Sequence, residues 1–394
     1  MASRMMQGSK AMAEMTALCR PLVISAYPIT PQTIIIEDLS QIVADGDLKA
    51  EFINVESEHS AASLVLGASA AGVRVFSATS SQGLLLMSEV VFNIAGMRLP
   101  VVMMCINRAV SAPLSIWNDQ QDSMAVRDSG WIQLYAENNQ DTCDLLLQAY
   151  RIAEDHRVML PVMVCADGYL LPHAYEAVDL PEQKEVDAFL PPFRPIYQLD
   201  PANPLTMGAF CEPDKYAETR YMIQRTMEAS ITIIEDIAGE FKSSFGRSSG
   251  GLFEKYRVDD ADTVLVAMGS MAGTIKEVID ELRDQGQKVG LLKLITYRPF
   301  PKEALYNALS RAKQVIVLDK AISLGSGGPL ATEIRSVFHG RTSSTKISGI
   351  IAGLGGRDIT VNSIKSALVK GQERLVDDEF LDLRDDLELE GISG

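Results

Sequence analysis

Residues 22–31 read LVISAYPITP and residues 52–58 read FINVESE, and these two stretches decide the fold class. Each begins with a short apolar run, 22–26 and 52–55, which predicts a strand. The first run is followed by a threonine flanked by prolines, and the second by two carboxylates two residues apart. Because open α/β sheets bind ligands at the carboxyl ends of their strands, these polar groups predict a functional site at one edge of a sheet.

The first 170 residues continue the same alternation of strands and helices. Further apolar runs predict strands at 73–77, 100–106 and 160–165. Helical patterns separate the strands, at 31–44, 57–71, 84–95 and 141–155. Continuous apolar strands separated by helices predict a parallel sheet that is buried on both faces.

A proline-rich segment follows at 175–213, with seven prolines. This density predicts an extended connection that wraps the first domain and contains no regular helix or central strand. The next segment, 216–245, predicts a long amphipathic helix. Its expected apolar face carries Tyr216, Ile223, Met227, Ile231, Ile234 and Phe241.

A second α/β unit is predicted from about residue 262. Its strands are expected at 263–268, 289–294, 314–318 and 346–350, and its helices at 274–285, 302–312 and 329–338. We therefore divide the chain into a first domain, 1–245, a second domain, 258–376, and an acidic tail, 377–394. The tail is either a solvated end or an arm whose leucines dock on another subunit.

The charge and hydropathy of the chain exclude several classes of partner. The formal net charge of −16 argues against nucleic acid and against anionic membrane surfaces. No apolar run approaches the roughly 18 residues that a membrane-spanning helix needs. Residues 1–10 lack the apolar core of a signal peptide. We therefore expect a cytoplasmic protein.

The cysteines and histidines do not predict a metal site. The five cysteines are scattered and form no CxxC motif, and the four histidines form no zinc-type pair. Such a set predicts buried thiols in a reducing compartment and no local iron–sulfur site. We also interpret Asp45-Gly46-Asp47 and Asp167-Gly168 as ordinary turns, because no asparagine cluster follows either one to complete a metal site.

Glu58 is the first candidate for a catalytic residue. A carboxylate at the start of a predicted helix could simply favour the helix dipole. It could instead be a buried acid that hydrogen-bonds a cofactor ring nitrogen, since burial raises the pKa of such a group. Glu56 competes for the same role on spacing alone.

Thr30 and Arg108 are the candidates for substrate binding. Pro28 and Pro31 fix the backbone around Thr30, so its hydroxyl is held in one direction, although Thr30 could equally cap the helix that follows. Arg108 comes directly after a buried strand. It could bind a carboxylate with its planar fork, or it could form an interface salt bridge.

Three loops could bind anions. The turn 79–83, with Ser81 and Gln82, precedes a helix but lacks the glycine spacing and the lysine of a P-loop. Glycine clusters at 325–328 and 353–356 predict either tight turns and close contacts or a phosphate cradle.

Taken together, these stretches resemble the α subunits of the 2-oxoacid:ferredoxin oxidoreductases, above all the pyruvate:ferredoxin oxidoreductase group. The matching strings run in order along nearly the whole chain: YPITP at 27–31, SE at 57–58, SSQGLLLM at 80–87, IAG at 94–96, LPVV at 99–102, NDQQD at 118–122, MGS at 268–270, RPFP at 298–301 and GLGGRD at 353–358.

The resemblance implies a thiamine diphosphate pyrimidine-binding domain followed by a transketolase C-terminal-like domain. It implies that Glu58 contacts the aminopyrimidine ring, with Pro28, Ile29, Ser81 and Gln82 also lining the cofactor. It further implies that Thr30 and Arg108 bind the substrate carboxylate.

The remaining parts of the enzyme would lie on other subunits. The resemblance implies a β subunit that carries the diphosphate, Mg2+ and a proximal [4Fe-4S] cluster, with γ and ferredoxin-like δ subunits beside it. The complex would oxidise pyruvate reversibly, transfer the acyl group to coenzyme A, and pass electrons to ferredoxin.

Two departures from the family pattern leave the substrate open. His59-Ser60 replaces the usual small residues after Glu58, and the loop 118–122 lacks its usual histidine. The wrapping segment is more similar to the oxalate oxidoreductase, but that enzyme carries an arginine in place of Thr30, so pyruvate is favoured. The alternatives are another 2-oxoacid, namely oxalate, 2-oxobutyrate or 2-oxoglutarate, or a non-catalytic scaffold subunit.

Overall fold

The structure, a computed structural model, describes residues 3–384. The strands are β1 Arg4–Gln7, β2 Val23–Ala26, β3 Glu51–Asn54, β4 Val75–Thr79, β5 Val102–Asn107, β6 Ile132–Tyr135, β7 Val162–Asp167, β8 Tyr175–Val178, β9 Phe253–Tyr256, β10 Thr263–Ala267, β11 Val289–Leu294, β12 Thr296–Arg298, β13 Gln314–Asp319, β14 Lys346–Ile351 and β15 Glu379–Phe380.

The helices alternate with these strands over most of the chain. They are α1 Gly8–Leu18, α2 Thr33–Ala44, α3 Glu58–Ala70, α4 Ser81–Leu86, α5 Ser88–Gly96, α6 Gln121–Ala125, α7 Asn139–Ala153, α8 Leu170–His173, α9 Gln183–Phe189, α10 Pro213–Phe245, α11 Met271–Asp284, α12 Lys302–Leu309, α13 Pro329–Phe338 and α14 Val361–Glu373.

The first sheet has the order β12-β6-β7-β5-β4-β2-β3, and all its pairings except β12 with β6 are parallel. Its central strands β4, β5 and β7 are buried along their whole length, as their continuous apolar runs predict. The chain passes from β2 to β3 on one side and then to β4 on the other. This reversal makes a crevice at the carboxyl ends of β2 and β4.

The second sheet has the order β15-β14-β13-β10-β11-β9 and is parallel except at β9. The expected fold class, two α/β units with parallel sheets, is confirmed. Two strands do not follow the predicted division of the chain. β9 precedes residue 258 yet pairs with β11, and β12 follows it yet pairs with β6 of the first sheet.

The segment 175–213 wraps the first unit but is more regular than its prolines predict. It contains α9, which begins with a capping box, and β8, which pairs with β1 at the surface. The prediction of no helix was wrong because the prolines cluster on either side of α9. The wrap is held by Arg74, which donates to the carbonyl of Pro191 at 2.9 Å, and by the Leu199 N–H, which donates to the Ala70 carbonyl at 2.8 Å.

Two further sequence expectations need correction. The predicted helix 84–95 is two helices, α4 and α5, which meet at Met87. Tyr216 does not belong to the apolar face of α10, because it is 60% exposed, whereas Met227 and Phe241 are buried there. The first turns of α10 therefore stand clear of the core.

The predicted acidic tail is described only as far as residue 384. Its start pairs with the second sheet through β15, and Leu381 is buried. The expectation for Leu387 and Leu389 lies outside the described residues. Among residues 3–384, none of the helices combines the length and the hydropathy that crossing a membrane requires.

Candidate active site

Five neighbouring parallel strands end at one edge of the first sheet, and the predicted site residues follow them. Thr30 follows β2, Glu58 follows β3, Ser81 follows β4 and Arg108 follows β5. Gly168 follows β7 at the same edge. The sheet thus brings together residues that are far apart in the chain, such as Arg108 and Thr30, which are 78 positions apart.

Glu58 is the first residue of α3 and is only 7% exposed. Its side chain lies over the backbone of Gly83, where an added Cβ would be 2.7 Å from the Glu58 Oε1 atom. Within residues 3–384 its carboxylate makes no hydrogen bond. Because nearly buried carboxylates normally have hydrogen-bond partners, this group is expected to receive one from a ligand.

Glu56 has a different environment, although it is only two residues away. Its side chain is exposed and accepts a hydrogen bond from the Ser60 hydroxyl in the first turn of α3. This bond lowers the pKa of Glu56. Ser57 caps the helix by accepting from the Ser60 N–H at 3.2 Å. The structure therefore separates the two carboxylates, and only Glu58 faces the interior of the site.

Arg108 and Thr30 lie in direct contact. The Arg108 guanidinium donates from Nη1 to the Thr30 carbonyl and from Nε to the Ser115 carbonyl, both at 2.9 Å. Nη2 makes no hydrogen bond to any residue between 3 and 384. Burial lowers the pKa of this guanidinium, and the nearby Asp122 carboxylate opposes the shift.

The structure tests the alternative role of Thr30 as a helix cap, whereas a salt bridge of Arg108 across a subunit interface stays a prediction. The cap of α2 is Gln32, which makes no side-chain capping bond, so Thr30 is not the N-cap. None of the ion pairs formed among the described residues includes Arg108. Both side chains thus retain groups that a ligand can use.

Ser81 does not form the open anion-binding turn that the sequence predicts. Its N–H donates to Asp122 at 2.9 Å, and its hydroxyl bonds to the Ala109 carbonyl and to Gln82. Ser81 adopts a φ of 47°, a conformation that these bonds must hold in place. Gln82 is half-buried beside it. Ser81 therefore serves to fix the turn between β4 and α4.

Asp122, on α6, is a site residue that sequence reasoning missed. Its fully buried Oδ2 atom accepts the N–H groups of Ser81 at 2.9 Å and Arg108 at 3.0 Å. Its Oδ1 atom accepts the Asn107 amide and the Ser123 N–H, both at 2.7 Å. Burial raises the pKa of Asp122 to about 6 against these donors. The only signal in the sequence was its place in the NDQQD string.

The same loop contacts the second unit. Asp119 accepts the Gly355 N–H at 3.0 Å, and the Gln120 N–H donates to the Lys320 carbonyl at 2.8 Å. Gly355 and Gly356 both have positive φ, and a Cβ on Gly356 would overlap Trp117. The glycine cluster 353–356 thus forms a tight turn and a close contact between the two units.

Asp167 ends β7 and is followed by a turn at Gly168, but it is more than the ordinary turn residue that the sequence indicates. It is 1% exposed and bonds to Lys320 at 2.9 Å and to the Ser270 N–H at 3.0 Å, both in the second unit. Burial raises the pKa of Asp167, but Lys320 and Ser270 outweigh it and hold that pKa below its ordinary value. The error arose because a partner in another unit leaves no trace in the local sequence.

A cavity of about 820 Å3 lies between the two units. Trp117, Tyr169 and Arg357 contribute to its walls, as does Gly168. Gly168 packs against Pro31 and the Asn107 carbonyl, which are the chain neighbours of Thr30 and Arg108. Thr30, Glu58 and Arg108 themselves do not line this cavity.

Family models match both units of the chain. The model described as "Pyruvate flavodoxin/ferredoxin oxidoreductase, thiamine diP-bdg" matches residues 14–238. The model described as "Pyruvate:ferredoxin oxidoreductase core domain II" matches residues 261–364.

Curated proteins match almost the full length. The chain is 54% identical over 360 residues to pyruvate synthase subunit PorA of Methanothermobacter thermautotrophicus, covering 91% of this chain and 93% of that protein. It is 43% identical over 380 residues to ketoisovalerate oxidoreductase subunit VorA of Pyrococcus abyssi, covering 96% and 95%.

Among solved structures, the 2-oxoglutarate:ferredoxin oxidoreductase of Magnetococcus marinus shares the fold, with a TM-score of 0.69 and 21% identity. The match covers 93% of this chain and 65% of that one. With one family model matching more than half of its length and relatives above 40% identity, the chain belongs to the pyruvate:ferredoxin oxidoreductase family and is an α (PorA-type) subunit.

Proposed function

We propose that this chain provides the substrate-binding and ring-binding half of an active site that oxidises pyruvate. The reaction is a reversible, coenzyme A-dependent oxidative decarboxylation with ferredoxin as the electron acceptor. The observation that carries the proposal is the contact of Arg108 with Thr30 at the crevice of the first sheet, with Glu58 following the neighbouring strand β3 at the same edge. Both Arg108 Nη2 and the Glu58 carboxylate retain hydrogen-bonding capacity there.

The residues of the site fit thiamine diphosphate. The Glu58 side chain lies across Gly83, and only a residue without a Cβ leaves room for it. Glu58 would bind the aminopyrimidine ring, with Pro28, Ile29 and Gln82 along the same edge. Ser81 would support this wall through its backbone, since its hydroxyl is already bonded. When bound, the cofactor supplies the electron sink for decarboxylation.

The groups of the chain have distinct tasks in this reaction. Arg108 pairs with the carboxylate of the 2-oxoacid through charge-assisted hydrogen bonds in a partly desolvated cleft. Its bonds to the Thr30 and Ser115 carbonyls fix the guanidinium plane before substrate arrives. Glu58 would form a hydrogen bond with a nitrogen of the cofactor ring. The low exposure of both groups limits water at the reacting carboxylate.

The other components are proposed to come from partner subunits. Among residues 3–384, the acidic, cysteine and histidine side chains form no cluster suited to a metal ion. We assign the diphosphate site, Mg2+ and a proximal [4Fe-4S] cluster to a β subunit, with γ and ferredoxin-like δ subunits completing a cytoplasmic complex. The exposed apolar residues Tyr27, Leu86 and Leu114 near the site edge support a protein partner there.

The deciding experiment is a substrate panel assayed on the co-purified complex. Pyruvate, 2-ketoisovalerate, 2-oxobutyrate, 2-oxoglutarate and oxalate would be compared with coenzyme A and a one-electron acceptor. We expect pyruvate to have the highest kcat/KM and the isolated chain to be inactive. A higher kcat/KM for another 2-oxoacid would reassign the substrate. A complex that stays active when Glu58 and Arg108 are both replaced by alanine would make this chain a scaffold.

A further inference from the structure

Asp122 links two strand ends that carry parts of the site. One carboxylate oxygen, Oδ2, accepts the N–H of Ser81, which follows β4, and the N–H of Arg108, which follows β5. The other oxygen accepts Asn107 and Ser123. Four nitrogen donors therefore converge on one buried carboxylate, and no cation pairs with it among the described residues.

This arrangement demands a charged acceptor. A carboxylate accepts at both oxygens, whereas an amide of the same shape presents an NH2 group to one pair of donors. A buried N–H group without an acceptor destabilises the folded chain, because the hydrogen bond that it makes to water in the unfolded chain is not replaced. Ser81 has a φ of 47°, a strained conformation that persists only where surrounding contacts hold it. Its hydrogen bond to Asp122 is one of these contacts.

We propose that Asp122 is a positioning residue, which holds the backbone of Arg108 and the Ser81 turn in register so that the guanidinium meets the substrate carboxylate. It acts through Arg108 and touches no substrate itself. The inference deepens the proposed function and rests on it for its kinetic consequences. The positional part concerns only the backbone of the chain and can be measured without substrate.

The positional part is tested by hydrogen exchange on the full-length chain. Asp122→Asn leaves one acceptor oxygen for four nitrogen donors, so the amide hydrogens of Ser81 and Arg108 should exchange at least about tenfold faster. Asp144→Asn is the matched control. Asp144 is equally buried in the same unit, but it bonds to Arg247 and lies away from both strand ends. The control should leave exchange at Ser81 and Arg108 unchanged.

The kinetic part is tested on the assembled complex. Asp122→Asn should raise the KM for pyruvate by about tenfold or more and change kcat much less, because a displaced Arg108 weakens carboxylate binding. Asp144→Asn should leave KM unchanged even where it lowers the thermal midpoint. If Asp122→Asn fails to fold, Asp122→Glu retains the charge but displaces it by one methylene, and it should show the same two effects.

The possible failures are distinguishable. Unchanged exchange at Ser81 and Arg108 overturns the positioning role, whatever the kinetics. Faster exchange with an unchanged KM shows that Asp122 is only structural and overturns the proposal too. A wild-type complex that turns over none of the 2-oxoacids removes the proposed function, and exchange alone then decides whether Asp122 holds the two strand ends.

Discussion

The carboxyl edges of the two parallel sheets carry similar polar groups but use them differently. At the edge of the second sheet, Asp319 accepts the N–H groups of Leu330 and Ala331 and so caps α13. Its neighbour Lys320 bonds to Asp167 of the first unit. At the edge of the first sheet, by contrast, the Glu58 carboxylate and one arm of Arg108 have no bond within the described residues.

This difference identifies the edge of the first sheet as the ligand-binding edge, which the fold alone does not. Both edges have the architecture that binds ligands in open α/β sheets. In the second unit, Asp319 and Lys320 are bonded to other residues of the chain. In the first unit, the Glu58 carboxylate and Arg108 Nη2 have no such partner among the described residues and can bind a ligand. The following predictions test whether that division is real.

The largest effect is expected at Glu58. Glu58→Gln should lower kcat of the complex by about 10²- to 10⁴-fold, the range for losing a group that transfers or shares a proton. Assembly should be retained, because the amide has the same shape. Glu56→Gln is the control and should leave kcat within about twofold, since that side chain is exposed. If Glu56→Gln abolished turnover and Glu58→Gln did not, the two roles would be reversed.

The next largest effect is a loss of stability at the carboxyl edge of the second sheet. Lys320→Met leaves Asp167 buried without its cation, which typically costs about 3–5 kcal/mol. We expect a lower thermal midpoint and easier separation of the two units by limited proteolysis. Lys313→Met serves as the control, because its salt bridge to Asp262 is mostly exposed. A selective loss of substrate affinity at unchanged stability would instead make Lys320 part of the site.

A smaller effect is expected at Arg108. Arg108→Lys keeps the charge but loses the planar fork, so the KM for pyruvate should rise by about ten- to a hundredfold. Arg341→Lys, at a surface pair with Glu303, should leave KM unchanged. Steady-state kinetics on the complex would measure both. Equal kinetics for the two variants would place the carboxylate site elsewhere.

The smallest effect concerns pH. Burial raises the pKa of Asp319 to about 7, so the folded chain holds a proton that the unfolded chain has lost above about pH 4. This contribution to stability is complete below about pH 4 and is lost progressively as the pH rises from about 4 to about 7. The thermal midpoint of the wild type relative to Asp319→Asn should therefore fall between about pH 4 and pH 7 and level off above that. A difference that is independent of pH would show that Asp319 is ionised throughout.

Much of the first edge could be predicted from the sequence. The β-branched runs place β2, β3, β4, β5 and β7 within two residues of their observed bounds. Because parallel strands share a carboxyl edge, the residues after them had to meet there. Thr30 and Arg108 were predicted in this way to lie at one edge, and the structure places them in contact although β4 separates their strands.

The remaining features depend on distant parts of the chain. Asp122 was missed because three of its four nitrogen donors lie at the ends of two other strands, far from it in the sequence. Asp167 was misread because its cation lies 153 positions away. The helix α1, whose small residues and methionines give a weak periodic pattern, and the strand β6 were also overlooked. Long-range pairing determines these features, and local propensity carries little information about it.

The strand β12 follows β11 of the second unit in the chain but pairs with β6 of the first sheet. This pairing limits where the chain can be divided into separate domains. A fragment ending at residue 245 would leave the outer side of β6 without its antiparallel neighbour. The exposed backbone N–H and C=O groups of such an edge can pair with another copy of the same fragment. The first unit produced alone is therefore expected to self-associate, and a genetic division of this subunit would have to keep residues 296–298 with the first sheet.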